Sequence, residues 1–180
     1  MLKAKDIMTE NPAYCTPETS LQEVAQKMLE ADCGELPVMD SPNSRTPIGV
    51  ITDRDIVCRA VAQGKDIRVM TAGDCMSTPC ITVTADSSVE SCVELLEASL
   101  IRRAPVVDDY GECCGMIAQA DIARFEKQRA AELVHELSIS ALRRRTQFGA
   151  SEPRVVPITP IEAVRGRWER QSQLRRSSAR

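Results

Sequence analysis

The sequence predicts an α/β fold of the α+β kind, built from two copies of a β-α-β-β-α unit and followed by a C-terminal helical extension. Three observations predict it: the chain repeats itself, each copy alternates strand-like and helix-like apolar patterns, and the last third has helical periodicity. The chain has 180 residues, 43% hydrophobic and 3% aromatic, so aliphatic residues, methionine and cysteine must fill the core. We expect the two copies to pack sheet to sheet around one shared core, because each alone is too small to bury its helices.

The repeat is visible when the chain is shifted against itself. At a shift of 68 residues, identical residues coincide at eight positions: Ala4, Asp6, Met8, Thr16, Ser20, Pro37, Val38 and Asp40 coincide with Ala72, Asp74, Met76, Thr84, Ser88, Pro105, Val106 and Asp108. The shift falls to 66 after a loop at 41–47, and Gly49, Ile51, Asp55 and Ile56 then coincide with Gly115, Ile117, Asp121 and Ile122. Such an ordered series indicates a duplication, whose halves we call the first and the second copy.

Each copy begins with a short strand and a capped helix. The predicted strands are Ala13–Thr16 and Ile81–Thr84. Ser20 and Ser88 can cap the helices that follow, because a serine hydroxyl accepts a hydrogen bond from a free N–H of the first turn. Apolar residues recur after both serines at the spacing of one helical face.

Two strands and a second helix complete each copy. The predicted strands are Leu36–Met39, Gly49–Ile51, Ala104–Val107 and Gly115–Ile117, and the second helices begin near Arg54 and Ala120. These elements predict domains at 1–66 and 67–126, a helix at 127–146, and a basic tail at 147–180 with a short amphipathic helix over 160–174. That tail could dock on a protein partner.

Charge and hydropathy exclude several classes of protein. Residues 1–142 carry a formal charge of −10 and residues 143–180 carry +7, a distribution that does not favour a nucleic-acid-binding fold. No apolar run has the roughly 18–20 residues of a membrane span, and no signal peptide is evident. We therefore expect a cytoplasmic protein without a membrane segment, with eight reduced cysteines. No catalytic motif is recognised, so a non-enzyme is predicted.

The segment from Gly49 to Asp55 suggests two roles. A strand that runs into a helix start offers free N–H groups to a phosphate, and Gly49 would allow the backbone to approach it closely. Thr52 and Arg54 could then hold phosphate, while Asp55 accepts from ribose hydroxyls. Alternatively, Thr52 and Asp55 are only a helix cap with an acidic first turn.

These patterns resemble the cystathionine-β-synthase (CBS) domain pair, or Bateman module. The resemblance rests on Asp6-Ile7-Met8, Gly34–Val38 and Gly49–Ile56, and on Asp74-Cys75-Met76, Ile101–Val106 and Gly115–Ile122 in the second copy. The stretches Thr52–Val57 and Thr71–Asp74 are most similar to stand-alone members of the hypoxic-response type.

The resemblance implies a pseudo-twofold pair of units, usually dimeric, and in many members an adenosine ligand such as AMP, ADP, ATP or S-adenosylmethionine. No further cofactor and no metal site are predicted. The implied nucleotide-binding residues are Thr16, Glu35, Leu36, Pro37, Gly49, Ile51, Thr52, Arg54, Asp55, Arg103, Ala104, Pro105, Ile117 and Asp121.

The second copy departs from the motif, because Ala118 replaces the threonine while Asp121 keeps the carboxylate. We therefore expect unequal sites, the first stronger, although Arg102 and Arg103 could reach a phosphate. Two alternatives stay open: a thiol- or metal-responsive protein that uses Cys113 and Cys114, and a structural interaction module without a ligand.

Overall fold

The computed structural model describes residues 2–125, 131 and 133–140. The helices are α1 (Ala4–Ile7), α2 (Leu21–Glu30), α3 (Asp53–Arg59), α4 (Ala72–Cys75), α5 (Val89–Ser99) and α6 (Gln119–Phe125), with a 3₁₀ turn at Val61–Gln63. The strands are β1 (Thr9–Glu10), β2 (Glu35–Met39), β3 (Pro47–Thr52), β4 (Val83–Thr84), β5 (Arg103–Val107) and β6 (Cys113–Ala118). They form one sheet in the order β1-β6-β5-β4 and a second sheet of β2 and β3. The mixed α/β class is therefore confirmed.

The predicted helix caps of α2 and α5 are present. Ser20 Oγ accepts a hydrogen bond from the Glu23 backbone N–H at 3.2 Å, and Ser88 Oγ accepts one from the Ser91 N–H at 3.1 Å. Each bond satisfies a donor of the first helical turn that has no partner within the helix. Local sequence thus determines where both helices begin.

The hairpins of the two copies match in register. Val38 pairs with Gly49 in the first copy, and Val106 pairs with Gly115 in the second. Both hairpins have an irregularity after that pair. The predicted loop difference is also present, since residues 40–46 connect the strands of the first hairpin and residues 108–112 those of the second.

The N-terminal segment of each copy pairs with the hairpin of the other copy. Thr9 pairs with Met116 of β6, and the equivalent Ser77 forms a bridge with Val50 of β3. The same exchange is seen where α2 and α5 begin. Lys3 forms a β-bridge with Ser88, the residue before α5, and Thr71 forms one with Ser20, the residue before α2. These reciprocal pairs show the pseudo-twofold relation between the copies directly.

The apolar core consists of two clusters, whereas one shared core was expected. Ala4 and Ile7 of α1 pack in the second copy, in a cluster with Leu96, Val106 and Ile117 among others. Conversely, Ala72 and Cys75 of α4 pack in the first copy. Two cores arise because each hairpin and its helices are completed by a short helix from the other copy.

Gly49 and Gly115 are required by this exchange of segments. A Cβ atom on Gly49 would lie 2.7 Å from the backbone oxygen of Ser77, and one on Gly115 would overlap the Met8 side chain. Real Cβ contacts are essentially never that short. The close approach predicted at Gly49 is therefore made by the chain's own backbone.

Two predicted elements differ in the structure. The first strand, Ala13–Thr16, is reduced to one bridge between Cys15 and Val38, because these residues meet β2 at a single point. The C-terminal helix is seen at residues 133–140. Its Leu133 and Leu137 are buried in the apolar cluster of the second copy, the cluster that contains Leu96. Apart from residue 131, the remainder of the helix predicted at 127–146 lies outside the described residues, and so does the predicted tail with its helix at 160–174.

Candidate functional site

Thr52 and Asp55 form a capping box where β3 meets α3. The Thr52 hydroxyl donates to Asp55 Oδ2 at 2.7 Å and accepts from the Asp55 backbone N–H at 3.0 Å. The same carboxylate oxygen accepts from the Thr52 N–H at 3.0 Å. The geometry matches the capping alternative, and a phosphate would have to displace these bonds to reach the hydroxyl.

Arg59 completes this junction and was not predicted as a site residue. Its Nη2 lies 3.2 Å from the other oxygen of Asp55, and its guanidinium donates to the backbone oxygens of Cys75 and Met76. The signal available in the sequence was the i,i+4 spacing of Asp55 and Arg59, a common helical ion pair. Through Arg59, the carboxylate of the first copy is connected to the segment that the second copy contributes.

The second copy retains only part of the capping box. Asp121 is 7% exposed, and its Oδ2 accepts a hydrogen bond from the Ala118 N–H at 2.9 Å. Ala118 has no hydroxyl to bind the carboxylate, and Arg124 Nη1 lies 3.7 Å from Oδ1. The Asp121 carboxylate therefore makes fewer hydrogen bonds than the Asp55 carboxylate, and a ligand would have fewer of them to replace.

Glu35 and Arg103 face each other at equivalent positions of the two copies. Glu35 begins β2 and Arg103 begins β5, and Arg103 Nη1 lies 4.0 Å from Glu35 Oε2. Burial raises the pKa of Glu35 to about 7; Arg103 opposes this change, while Asp55 and Asp53 add to it. Near neutral pH, Glu35 is thus only partly ionised.

A cavity of about 290 Å³ lies beside the start of β5. It is lined by Arg102, Arg103, Ala118, Gln119, Ala120, Ala123 and Val134. We call it the second-copy cavity. Arg102 and Arg103 supply positive charge, although the Arg103 guanidinium also lies 4.0 Å from Glu35 Oε2. This chemistry suits an anionic group.

Several predicted site residues direct their side chains into the cores. Leu36, Ile51, Ala104 and Ile117 are 0% exposed and belong to the two apolar clusters, so only their backbone could contact a ligand. Pro37 and Pro105 are also buried. Thr16 is 9% exposed, and its N–H donates to Thr19 Oγ1 at 2.9 Å. Arg54, by contrast, is exposed.

The cysteines are free thiols, most of them at least partly buried. Burial raises the pKa of Cys113 to about 11 and also raises that of Cys114. Both thiols bind backbone oxygens, with Cys113 Sγ 3.5 Å from Gly115 O and Cys114 Sγ 3.5 Å from Val106 O. Among the described residues, no group of three or more His, Cys, Asp or Glu is placed to hold a metal ion.

Comparison with known proteins gives one family. A family model described as the CBS domain matches residues 4–61 and 72–127. The uncharacterized protein MK0525 of Methanopyrus kandleri is 37% identical over 133 residues, which cover 74% of this chain and 64% of that protein. The chain therefore spans slightly less than two thirds of this relative.

Two solved structures are similar in both sequence and fold. Hypoxic Response Protein I, described with two coordinated zinc ions, has a TM-score of 0.62 and 33% identity over 69% of this chain and 98% of its own. The CBS domain pair of protein MJ0100, in complex with 5′-methylthioadenosine and S-adenosyl-L-methionine, has a TM-score of 0.63 and 28% identity. That match covers 72% of this chain and 98% of the other. The similarity to the hypoxic-response type is thereby confirmed.

Proposed function

The chain belongs to the CBS-domain family, and from that premise we propose that it is a stand-alone regulatory module for an adenosine-containing ligand. The ligand is AMP, ADP, ATP or S-adenosylmethionine, and it binds near the junction of a strand and a helix. Binding changes the packing of the two copies or of two subunits, and the module itself performs no catalysis. A ligand shifts such an equilibrium only as far as it prefers one packing state.

The observation that supports this proposal is the position of the two aspartates. Asp55 and Asp121 lie at equivalent strand–helix junctions, both with low exposure. A carboxylate can accept hydrogen bonds from both hydroxyls of a ribose. The second-copy cavity is formed in part by Ala118, Gln119 and Ala120, the residues immediately before Asp121. The adenosine ligands of protein MJ0100 add support from a relative.

A homodimer is part of the proposal. Val57 and Val61, on α3 and the following 3₁₀ turn, are 55% and 54% exposed, and Phe125 at the end of α6 is 54% exposed. Exposed apolar side chains of this size gain stability when a second copy covers them. The basic tail is proposed to contact a protein partner, and no role in nucleic-acid binding is proposed.

We place the protein in the cytoplasm because all eight cysteines are free thiols. Among the described residues, no helix has the length and hydropathy needed to cross a membrane.

A thermal-shift screen with AMP, ADP, ATP and S-adenosylmethionine tests the proposal, followed by calorimetry on Asp55→Asn and Asp121→Asn. At least one ligand should raise the melting temperature. At least one variant should lose about tenfold or more in affinity, because it loses charged hydrogen bonds to the ribose. Asp66→Asn is a matched control, since Asp66 lies in the exposed linker between the copies. The absence of any stabilising ligand would leave a structural interaction module as the function.

A metal-responsive role is the second candidate, because the related Hypoxic Response Protein I was described with zinc. The high pKa of Cys113 argues against a reactive thiolate in the metal-free protein. Metal analysis of the purified protein, together with thiol titration before and after chelation, distinguishes this role. Stoichiometric zinc that protects Cys113 and Cys114 from labelling would support it.

A further inference from the structure

The side chain of Arg59 connects the first strand–helix junction to the segment that the second copy contributes. Its Nη1 donates to the backbone oxygens of Cys75 and Met76 at 2.6 and 2.9 Å, and its Nη2 donates to Ser77 Oγ at 2.9 Å. The same Nη2 lies 3.2 Å from Asp55 Oδ1. A guanidinium carries five N–H donors in one plane, so a single side chain can serve all four acceptors. The carboxylate and the contributed segment therefore share one cation.

The contributed segment depends on Arg59 at the end of α4 and not at its start. At the start, the Ala72 N–H donates to Thr19 O at 2.8 Å. The Gly73 N–H donates to Pro17 O at 2.9 Å. At the end, the last carbonyls of a helix have no partner within the helix and need an outside donor. Arg59 is a donor to two of them, so a change at this residue would act on the end of α4.

The two oxygens of the Asp55 carboxylate have different partners. Oδ2 accepts from the Thr52 N–H at 3.0 Å and from the Thr52 hydroxyl at 2.7 Å, whereas Oδ1 lies beside Arg59. The Arg59 side chain is 45% exposed, and a half-exposed ion pair is weaker than a helix cap. Ribose hydroxyls that bind this carboxylate therefore compete first with Arg59 for Oδ1, and the cap remains.

The second copy has no arginine at the equivalent position. Phe125 coincides with Arg59 when the copies are aligned, and residues 7–9 coincide with residues 75–77. A phenylalanine side chain has no donor for a backbone oxygen. Arg124 lies 3.7 Å from Asp121 Oδ1, but it precedes the equivalent position by one residue. The connection through a shared guanidinium is therefore a feature of the first junction.

We infer that Arg59 is a positioning residue that transmits ligand binding at the first junction to residues 75–77 of the second copy. When ribose hydroxyls bind Asp55, the guanidinium loses its carboxylate partner. The long side chain is then less ordered, and it holds the backbone of residues 75–77 less firmly. This inference rests on the proposed function and adds the route by which binding changes the packing of the two copies. Binding at Asp121 is not transmitted in this way.

Amide hydrogen exchange on the full chain, measured by mass spectrometry, tests this inference in the wild type, Arg59→Gln and Arg124→Gln. Arg124→Gln is the matched control, because Arg124 lies beside the aspartate of the other junction. Saturating AMP or 5′-methylthioadenosine should speed exchange at residues 75–77 about threefold or more in the wild type and the control. A ligand that only stabilises the fold would slow exchange instead. In Arg59→Gln, exchange there should be fast without ligand, and neither probe should speed it further.

Calorimetry on the same samples shows whether each probe binds, which separates this inference from the proposed function. A probe that binds the wild type without speeding exchange at residues 75–77 would overturn the inference and leave the proposed function standing. Equal speeding in Arg59→Gln and the wild type, or its loss in Arg124→Gln, would overturn it as well. Failure of both probes to bind would reject the inference and count against the proposed function too.

Circular dichroism verifies that both variants fold. If Arg59→Gln does not fold, Arg59→Lys takes its place with the same expected result, because one ammonium group cannot serve all four acceptors of the guanidinium.

Discussion

Replacing Glu35 with glutamine should make the protein more stable above neutral pH and should flatten its pH dependence. Burial first, and then Asp55 and Asp53, raise the pKa of Glu35 from its ordinary value of 4.5 to about 7, although Arg103 opposes this change. The folded state therefore holds this proton more tightly than the unfolded state. Stability from the protonated carboxyl is fully present below about pH 4.5 and is lost as the pH rises through about 7. Because a tenfold change in proton affinity corresponds to about 1.4 kcal/mol, the total loss is about 3 kcal/mol.

Urea denaturation at pH 5 and pH 8 measures this effect in the wild type and in Glu35→Gln, with Glu18→Gln as a control at an exposed glutamate. The stability of Glu35→Gln relative to the wild type should increase by about 2–3 kcal/mol between the two pH values. The control should follow the wild type, because its side chain is in water at both. An equal difference between Glu35→Gln and the wild type at pH 5 and pH 8 would refute the assignment of a raised pKa to this buried carboxyl.

Three further predictions concern the fold and the thiols. Gly49→Ala should lower the free energy of unfolding in urea by about 1–3 kcal/mol, because its Cβ would lie 2.7 Å from the Ser77 backbone oxygen. A variant as stable as the wild type would show that the Ser77 segment does not lie so close to Gly49. Leu137→Ala should lower the free energy of unfolding by about 2–4 kcal/mol, because this side chain is buried. Val134→Ala, at a residue 47% exposed, should lower it by less than about 1 kcal/mol, and equal losses would contradict the packing of this helix. In native protein at pH 8, a thiol reagent should modify the exposed Cys58 long before Cys113, whose pKa is raised to about 11, and mass spectrometry showing equal rates would contradict that burial.

Local signals in the sequence predicted the elements of each copy well. Ser20 and Ser88 cap their helices because a cap depends on residues within one turn. The loop that differs by two residues was found because the repeat shift changes only there. These features need no knowledge of distant contacts.

The exchange of N-terminal segments could not be predicted in the same way. Strand β1 is the two-residue segment Thr9–Glu10, too short to show periodicity, and its partner Met116 lies more than one hundred residues away. Gly49 was accordingly assigned to a ligand, because nothing local indicated that Ser77 would lie against it. A long-range pairing of this kind is specified by tertiary packing, and the strand propensity of the residues does not predict it.

The candidate site was predictable in part. The Thr52 and Asp55 pair was correctly placed at a strand–helix junction, and the structure shows it as a capping box. Glu35 and Arg103 face each other because the pseudo-twofold relation brings the starts of β2 and β5 together. No pattern within one copy predicts this contact. The backbones of the two junctions are nevertheless equivalent, because the Asp53 N–H donates to Gly34 O and the Gln119 N–H donates to Arg102 O.

The most direct test of a ligand site at the junctions is a crystal structure of the protein with AMP. We predict density for at least one nucleotide at a strand–helix junction, with its ribose hydroxyls within hydrogen-bond distance of the Asp55 or the Asp121 carboxylate. Nucleotide bound away from both strand–helix junctions, or crystals grown in saturating AMP that contain none, would contradict the account.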